Sequence, residues 1–205
     1  MTDKFTIYLV DDDPGVLKGL SRLLRAGGYE VKVYSSPRVF LDEHEMTVPG
    51  CAVLDVSMPG LDGLEIQRVL SAASGYHRPV VFVTGKGDIP TSVRAMKAGA
   101  IDFLTKPVKG KDLFEAISRA EARDAESRRL HSEMESMQAK VSNLTPRERE
   151  VFTHVVAGRL NKQIAGDLGT VEKTIKVHRS RMMEKLGIRT VADLVRMAEK
   201  LNPSK

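Results

Sequence analysis

Residues 6–14 of the chain read TIYLVDDDP, and this stretch sets the fold. The run from Thr6 to Val10 is short, largely apolar and β-branched, which is typical of a strand. Asp13 and Pro14 then place a capping side chain just before a proline at the first helical position, a signal for the start of a helix. The stretch therefore predicts a strand that leads directly into a helix, with aspartates at the strand end.

The same alternation of strand and helix recurs up to about residue 120. The predicted strands are Thr6–Val10, Val31–Tyr34, Cys51–Leu54, Val80–Thr84 and Ile101–Thr105. Ser36-Pro37 repeats the helix-start signal, and Gly27-Gly28 and Gly99 stand where helices stop. Because this alternation implies βαβ crossovers, we expect an α/β doubly wound parallel sheet.

The composition of the 205-residue chain favours two modest domains. Its 41% apolar and 29% charged residues are typical of a soluble globular protein, and no apolar run approaches the roughly 20 residues of a membrane helix. The apolar stretch at residues 5–10 is too short for a signal peptide and is followed at once by acidic residues. Cys51 is the only cysteine, so the chain can form no internal disulfide. We therefore expect a cytoplasmic protein with no membrane association.

The net charge of +5 is unevenly distributed along the chain. Residues 1–120, the first predicted domain, carry 15 basic and 15 acidic side chains; residues 121–143 carry 4 and 5; residues 144–205, the second domain, carry 13 and 7. This asymmetry indicates that only the second domain binds a polyanion such as nucleic acid. Basic surface alone is weak evidence, because many soluble domains are basic.

Residues 121–143 are predicted to be a helical linker, the continuation of a helix that begins near residue 110. Apolar residues recur in its second half at alternating spacings of four and three: Leu130, Met134, Met137, Val141 and Leu144. This is the spacing of a coiled-coil seam, but it covers only two heptads. Self-association through the seam and packing on a neighbouring domain both remain open.

Several reactive side chains are expected to converge at one edge of the sheet. Asp11 and Asp12 end strand one, Asp55 ends strand three, Thr84 ends strand four and Lys106 follows strand five. Ligands of doubly wound sheets bind at the carboxyl ends of the strands. Three carboxylates so close together would repel one another unless a cation held them, and Mg²⁺ is the hard, oxygen-loving ion that suits them.

This set of residues suits attack by a carboxylate on a phosphoryl group, with Asp55 as the nucleophile. Phosphoryl transfer depends on charge neutralisation, which Mg²⁺ and Lys106 would supply, while the Thr84 hydroxyl would donate to a phosphoryl oxygen. The structural alternative is a capped, solvated loop at residues 11–13, a surface ion pair at Lys106 and an ordinary strand residue at Thr84.

Four motifs resemble the receiver domain of two-component response regulators: VDDD at 10–13, LDVSMPGLDG at 54–63, VTG at 83–85 and AGAIDFLTKP at 98–107. The resemblance implies a flavodoxin- or CheY-like sheet with strand order 2-1-3-4-5 and a sensor histidine kinase as phosphoryl donor to Asp55. It further implies magnesium bound by Asp12, Asp55 and the Ser57 carbonyl, with Asp11 acting through water. Thr84 and Phe103 would form a switch pair, and Lys106-Pro107 a cis bond.

The last 60 residues predict four short helices. TPRE at 145–148 is a capping box with a proline at the first helical position, and this helix stops at Gly158. A short helix from Asn161 to Leu168, a turn, and a basic helix from about Glu172 to Lys185 form a helix-turn-helix pattern. In the basic helix, Ile175, Met182, Met183 and Leu186 can face the core.

The opposite face of the basic helix can enter a major groove and is expected to contact DNA. Its residues are Lys173, Thr174, Lys176, Val177, Arg179, Ser180 and Arg181. Taken singly, most of these residues are equally consistent with a solvated helix face.

Residues 144 to about 200 resemble the LuxR-type helix-turn-helix, through LTPREREV at 144–151, NKQIA at 161–165, KTIKVHR at 173–179 and KLGI at 185–188. With the receiver, this is similar to the FixJ/NarL class of transcription factors, and to its FixJ branch in particular. One departure is Val171, where the family has Ser or Thr as helix cap; Thr170 is expected to substitute.

The resemblance implies a regulator that is not an enzyme and that phosphorylation converts to a homodimer on promoter DNA, where it works with RNA polymerase, with activation as the expected effect. Two other hypotheses stay open. A pseudo-receiver would act without phosphorylation, and a magnesium-dependent enzyme would turn over small phosphorylated molecules. A stoichiometric rather than catalytic yield of phosphate would exclude the enzyme.

Overall fold

The computed structural model describes residues 4–72, 76–85 and 87–201. The chain divides into two compact units, Met1–Arg129 and Leu130–Lys205. Residues 1–3 and 202–205, which the predicted domains include, lie outside the described residues. Within the described ranges no helix is long and apolar enough to cross a membrane.

The first unit contains the five-stranded sheet that the sequence predicts. Its strands are β1 Thr6–Val10, β2 Glu30–Tyr34, β3 Gly50–Asp55, β4 Val80–Thr84 and β5 Asp102–Thr105. All neighbouring strands pair in parallel, in the order β2-β1-β3-β4-β5. The α/β doubly wound fold class and the strand order are therefore confirmed, and the strand bounds differ from the predicted ones by no more than one residue at either end.

Nine helices are present in the described part of the chain. The first unit holds α1 Pro14–Ala26, α2 Pro37–Glu43, α3 Gly63–Ala72, α4 Ile89–Lys97 and the start of α5 Gly110–Ser142. The second unit holds the end of α5 together with α6 Pro146–Val156, α7 Asn161–Asp167, α8 Glu172–Leu186 and α9 Val191–Leu201. The four short helices α6–α9 confirm the predicted small helical domain.

The caps of the first helices follow the sequence signals with one exception. The Asp13 carboxylate accepts from the amides of Gly15 (2.7 Å) and Val16 (3.2 Å), as predicted for a cap of α1. Ser36 occupies the N-cap position of α2, but its side chain bonds none of the described amides of that helix. Pro37 alone, with its fixed φ, therefore marks the start of α2.

The sheet is covered on both faces. One face packs in a core of Tyr8, Phe40, Leu54, Ile66 and Phe82, which brings in α2 and α3. The other face packs Ile7, Leu9 and Val53 against the apolar side of α1 and α5. Because helices bury both faces, the polar ends of the strands are where this unit presents functional groups.

The apolar seam of α5 is divided rather than continuous. Leu130 and Met134 are 47% and 37% exposed. Met137 and Val141 instead pack against the core of the second unit, and Leu144 is buried in it. The downstream half of the seam thus serves as core of the unit that contains α6–α9.

Glu148 is a buried carboxylate that joins two helices of the second unit. Its side chain accepts from the Thr145 amide (2.9 Å), while the Thr145 hydroxyl accepts from the Glu148 amide (3.3 Å), which confirms the capping box. Glu148 also pairs with Lys185 in the last turn of α8 (2.7 Å). The hydrogen bond to Lys185 and that to Thr145 lower the pKa of Glu148, so the carboxylate is ionised and ties the end of α8 to the start of α6.

Replacing Glu148 by alanine removes both the cap and the ion pair. We expect the free energy of unfolding of the second unit to fall by about 2 kcal/mol. Hydrogen exchange of the α8 amides in the full chain measures this loss. Glu150→Ala, which removes a half-exposed carboxylate paired with Arg147 on the same helix, is the matched control. Equal exchange in both variants would contradict the assigned role of Glu148.

Candidate functional site

The carboxyl edge of the sheet gathers three carboxylates. Asp55 is the last residue of β3, and Asp11 and Asp12 directly follow β1, which lies next to β3. One oxygen from each of the three side chains lies within 4.8 Å of the others. Asp11 and Asp55 are 1% and 5% exposed, whereas Asp12 is open to solvent. The fold therefore brings these three residues together at one edge of the sheet, as the sequence predicts.

Lys106 lies between two of these carboxylates. Its ammonium nitrogen is 2.6 Å from Asp11 Oδ2 and 3.2 Å from Asp55 Oδ1. The Lys106 amide donates to the Thr84 carbonyl (2.8 Å), so the lysine is fixed to the end of β4. The Lys106-Pro107 peptide bond is cis, as predicted.

The amides of the neighbouring turns hold the carboxylates in place. The Asp13 amide donates to Asp11 Oδ1 (2.9 Å) and the Ser57 amide donates to Asp55 Oδ2 (3.0 Å). Each buried aspartate therefore uses one oxygen for a backbone amide and the other for Lys106. These contacts orient both carboxylates towards the same point.

Burial and ion pairing act in opposite directions on the pKa values of Asp11 and Lys106. Burial raises the pKa of Asp11 above its usual value, although the hydrogen bonds from Lys106 and the Asp13 amide act in the opposite direction. Burial pushes the pKa of Lys106 down, but the hydrogen bond to Asp11 and the charges of Asp11 and Asp55 outweigh it, so the pKa is raised. Lys106 is thus a firm positive charge beside Asp11 and Asp55.

The donor set fits a hard divalent cation. Three clustered carboxylates, two of them buried, match the oxygen ligands that such ions take, and the exposed third leaves a side open for water. Ser57, predicted to contribute its carbonyl, follows Asp55 by two residues and is exposed. The acidic pocket expected from the sequence is present.

Thr84 and Phe103 lie on adjacent strands beside this pocket. Thr84 is fully buried at the end of β4. Phe103 is half-buried in β5, where its ring packs 6.1 Å from that of Phe82. Asp102 accepts from the Phe103 amide and forms an ion pair with Arg119 of α5. The two predicted switch residues therefore lie on adjacent strands, and α5 is connected to the start of β5.

Gly63 is a site residue to which the sequence analysis gave no role. A Cβ atom at this first residue of α3 would overlap the Asp55 carbonyl oxygen and crowd the Phe82 ring. The Gly63 amide donates to the Val56 carbonyl (3.0 Å). Glycine thus lets α3 start directly against the strand that carries Asp55, and its position eight residues after Asp55 is the only signal the sequence offered.

In the second unit, α8 has one buried apolar face and one exposed polar face. Ile175, Met182 and Leu186 are buried and Met183 packs beside them, as predicted. The opposite face exposes Lys173, Lys176, Val177, Ser180 and Arg181, with Thr174 and Arg179 half-buried. Arg179 donates to Asn161 Oδ1 (3.0 Å), which ties α8 to the start of α7. This second role of Arg179 was not predicted from the sequence.

The expectation that Thr170 caps α8 is wrong. Val171 occupies the N-cap position and, among the described residues, its side chain makes no capping bond. The Val171 carbonyl still accepts from the amides of Thr174 and Ile175. The Thr170 amide donates to the Ala165 carbonyl at the end of α7 (2.9 Å), so Thr170 belongs to the turn rather than to the first turn of α8.

A parallel sheet in this order, with clustered aspartates and a lysine at its carboxyl edge, defines a CheY-like receiver, and the second unit is a helix-turn-helix module. The model of the response regulator receiver domain matches residues 7–118, and that of bacterial regulatory proteins of the luxR family matches residues 142–198. The chain belongs to the response regulators of two-component systems that combine these domains. They are transcriptional regulators rather than enzymes, with a sensor kinase and DNA as partners.

Full-length relatives share this organisation. Nodulation protein W of Bradyrhizobium diazoefficiens is 41% identical over 201 residues, covering 98% of this chain and 88% of that protein. Transcriptional regulatory protein FixJ of Rhizobium meliloti is 38% identical over 198 residues, covering 97% and 96%. The solved structure of response regulator StyR has 45% identity and a TM-score of 0.78, covering 96% and 99%. The resemblance to the FixJ branch is thereby confirmed.

Gly63→Ala should destabilise the first unit by about 1–3 kcal/mol, because the added methyl group has to displace the strand that carries Asp55. All four tyrosines precede residue 77, so urea unfolding followed by tyrosine fluorescence reports on this unit alone. Gly19→Ala, in the exposed middle of α1 with no atom within 4 Å of the new methyl group, is the control and should gain about 0.5–1 kcal/mol. Unchanged stability in Gly63→Ala would refute the packing argument.

Proposed function

We propose that Asp55 accepts a phosphoryl group from a sensor histidine kinase and that this modification controls binding of promoter DNA by α8. The observation that carries the proposal is the position of Lys106, within 3.2 Å of both buried carboxylates. A fixed cation at this place neutralises charge where three phosphoryl oxygens would be held. Residues 1–120 are assigned as receiver, 121–143 as linker and 144–205 as DNA-binding domain.

In the proposed reaction, one Asp55 oxygen attacks phosphorus as the bond to the histidine nitrogen of the kinase breaks. The Ser57 amide, bonded to the other Asp55 oxygen, keeps the carboxylate oriented during the attack. Lys106 exchanges its contact with Asp55 for one with a phosphoryl oxygen and acts as a point charge. The Thr84 hydroxyl donates to a second phosphoryl oxygen.

Asp12, Asp55 and the Ser57 carbonyl are the proposed ligands of Mg²⁺, and Asp11 is proposed to act through water. When bound, the ion supplies charge neutralisation for the phosphoryl oxygens. Asp12 is the exposed member and faces the entry path, while Asp11 keeps Lys106 in position through the 2.6 Å ion pair.

Phosphorylation would change the surface formed by α4 and β5. The phosphoryl group interacts differently with two arrangements of Thr84, and Phe103 follows into the space that Thr84 leaves. Val93 and Met96 on the outer side of α4 are 44% and 46% exposed. An apolar patch of this kind, next to Lys97 and Asp102, suits a homodimer of the activated protein.

The DNA-binding proposal rests on charge and on the two faces of α8. The cations on the exposed face would neutralise phosphates, and Thr174, Val177 and Ser180 would contact base edges. A dimer would place two copies of α8 on an inverted repeat. The proposed DNA-bound protein contacts RNA polymerase and activates transcription.

The main rival is a pseudo-receiver that works without phosphorylation. The simultaneous presence of Asp12, Asp55, Thr84 and Lys106 at one edge speaks against it, since a domain freed from the chemistry has no need of buried, mutually repelling acids. This rival predicts DNA binding that is indifferent to phosphoryl analogues.

Beryllofluoride, which mimics a phosphoryl group on a carboxylate, should strengthen operator binding by the full chain and raise its mass to that of a dimer. Fluorescence anisotropy and light scattering measure the two effects on the same sample. Asp55→Asn should abolish both. An equal response of Asp55→Asn and wild type would remove Asp55 as acceptor.

Mg²⁺ should raise the stability of the first unit, since an ion that binds only the folded state adds about 2.7 kcal/mol at a hundredfold excess over its Kd. Asp12→Asn should lose this gain, and without metal it should be at least as stable as the wild type, because it removes one of three mutually repelling carboxylates. Urea unfolding with tyrosine fluorescence provides the measurement. A full Mg²⁺ response in Asp12→Asn would exclude Asp12 as a ligand.

Lys176→Ala should weaken binding to every DNA sequence alike and reduce the salt slope by about one, as the loss of one phosphate contact requires. Lys111→Ala is the matched control: each lysine is exposed and paired with a glutamate one helical turn away, but Lys111 lies in the receiver. If the two variants show the same salt slope, Lys176 makes no phosphate contact.

A further inference from the structure

A buried polar cluster lies at the amino-terminal edge of the sheet, opposite the carboxylate site. It consists of Tyr76, which precedes β4, and Asp124 and Arg128 of α5, and is called here the Asp124 cluster. Asp124 and Tyr76 are 2% and 6% exposed. The Tyr76 hydroxyl donates to Asp124 Oδ1, and Arg128 Nε donates to Asp124 Oδ2 (3.0 Å). The Arg128 guanidinium also lies 4.5 Å from the centre of the Tyr76 ring.

Arg128 attaches the Asp124 cluster to the loop between α2 and β3. Its guanidinium donates to the carbonyls of Met46 (2.9 Å), Thr47 (2.7 Å) and Val48 (2.5 Å). Arg78, 3% exposed, donates to the carbonyls of Glu45 (2.6 Å) and Val48 (3.1 Å) in the same loop. A loop whose carbonyls are held by two arginines is fixed to the start of the sheet and, through Arg128, to α5.

Breaking the contacts of the Asp124 cluster costs free energy. Asp124 has lost its hydration, so removing Arg128 would leave a buried, uncompensated carboxylate. Burial and the hydrogen bond to Asp124 raise the pKa of Tyr76, which keeps the phenol protonated as a donor. These contacts lie one to two helical turns beyond Ala120, the last apolar residue of α5 that is buried in the receiver core.

The segment of α5 around the cluster has little else to hold it. Residues 121–129 read EARDAESRR, an almost wholly polar sequence that packing on an apolar core cannot fix. A polar helix of this length is marginal in water unless tertiary contacts support it. Upstream, Arg119 of the same helix pairs with Asp102 beside Phe103. Asp102 is the first residue of β5, so this second anchor of the helix also lies towards the amino-terminal edge of the sheet.

We propose that the Asp124 cluster is a positioning device that makes α5 a rigid part of the receiver as far as Arg128. Through it, a rearrangement of β5 that reaches α5 by the Arg119–Asp102 ion pair moves the start of the linker instead of being lost in a fraying helix. This inference rests on the proposed function, since it names the residues that pass the effect of Asp55 towards the DNA-binding unit. None of the three residues of the Asp124 cluster belongs to the carboxylate site.

Arg128→Met tests the proposal in the full chain, because it keeps the length of the side chain and removes the guanidinium. Its matched control is Arg129→Met, which removes an exposed arginine paired with Glu126 on the same helix. Tyr76→Phe is the milder second variant should Arg128→Met fold poorly. Two quantities are measured: hydrogen exchange of the amides of residues 121–129, and the ratio of operator affinities with and without beryllofluoride.

The expected result is faster exchange of residues 121–129 in Arg128→Met and Tyr76→Phe, with beryllofluoride affinity within about twofold of wild type and the ratio of operator affinities lowered about tenfold, a typical coupling strength. Arg129→Met should behave as wild type. Faster exchange with an unchanged ratio, or unchanged exchange in both variants, would overturn the proposal. Lost beryllofluoride binding in wild type itself would instead refute the proposed function.

Discussion

The electrostatic balance at the carboxyl edge of the sheet is the constraint on which the rest of the receiver depends. Two buried carboxylates lie within hydrogen-bonding reach of a single lysine, an exposed third lies close to both of them, and burial disfavours charge at this place. Such an arrangement persists only because the buried strands β1 and β3 carry the acids and the hydrogen bond of the Lys106 amide to the end of β4 holds the lysine. A bound cation would therefore stabilise the site, and a phosphoryl group on one carboxylate would change the balance of charge around Lys106.

The sequence predicted those parts of the structure that local chemistry determines. Short apolar runs, the Asp13 cap and the Thr145 capping box are each settled by a few neighbouring residues, and all three occur as expected. Aspartates at strand ends could be assigned to one edge because parallel strands all end at the same side. The convergence of Asp11, Asp55 and Lys106 follows from topology alone.

Features that depend on residues far away in the chain could not be predicted from the sequence. Nothing local distinguishes Asp124 from the other acids of a polar helix, yet it is buried because Tyr76, 48 residues earlier, meets it. Gly63 matters because of how closely α3 approaches Asp55, and Thr170 fails as a cap because its amide completes the preceding turn. Likewise Lys185 and Arg179, apparently free cations on α8, each have a partner on another helix of the second unit.

The most direct test of the account is chemical mapping of the acceptor. The full chain is treated with acetyl phosphate and Mg²⁺, then with borohydride, which reduces an aspartyl phosphate to homoserine, and the peptides are sequenced by mass spectrometry. The account predicts homoserine at position 55, dependent on Mg²⁺ and lost when Lys106 is replaced by alanine. Homoserine at Asp11 or Asp12 with Asp55 intact, or labelling indifferent to Mg²⁺, would contradict it.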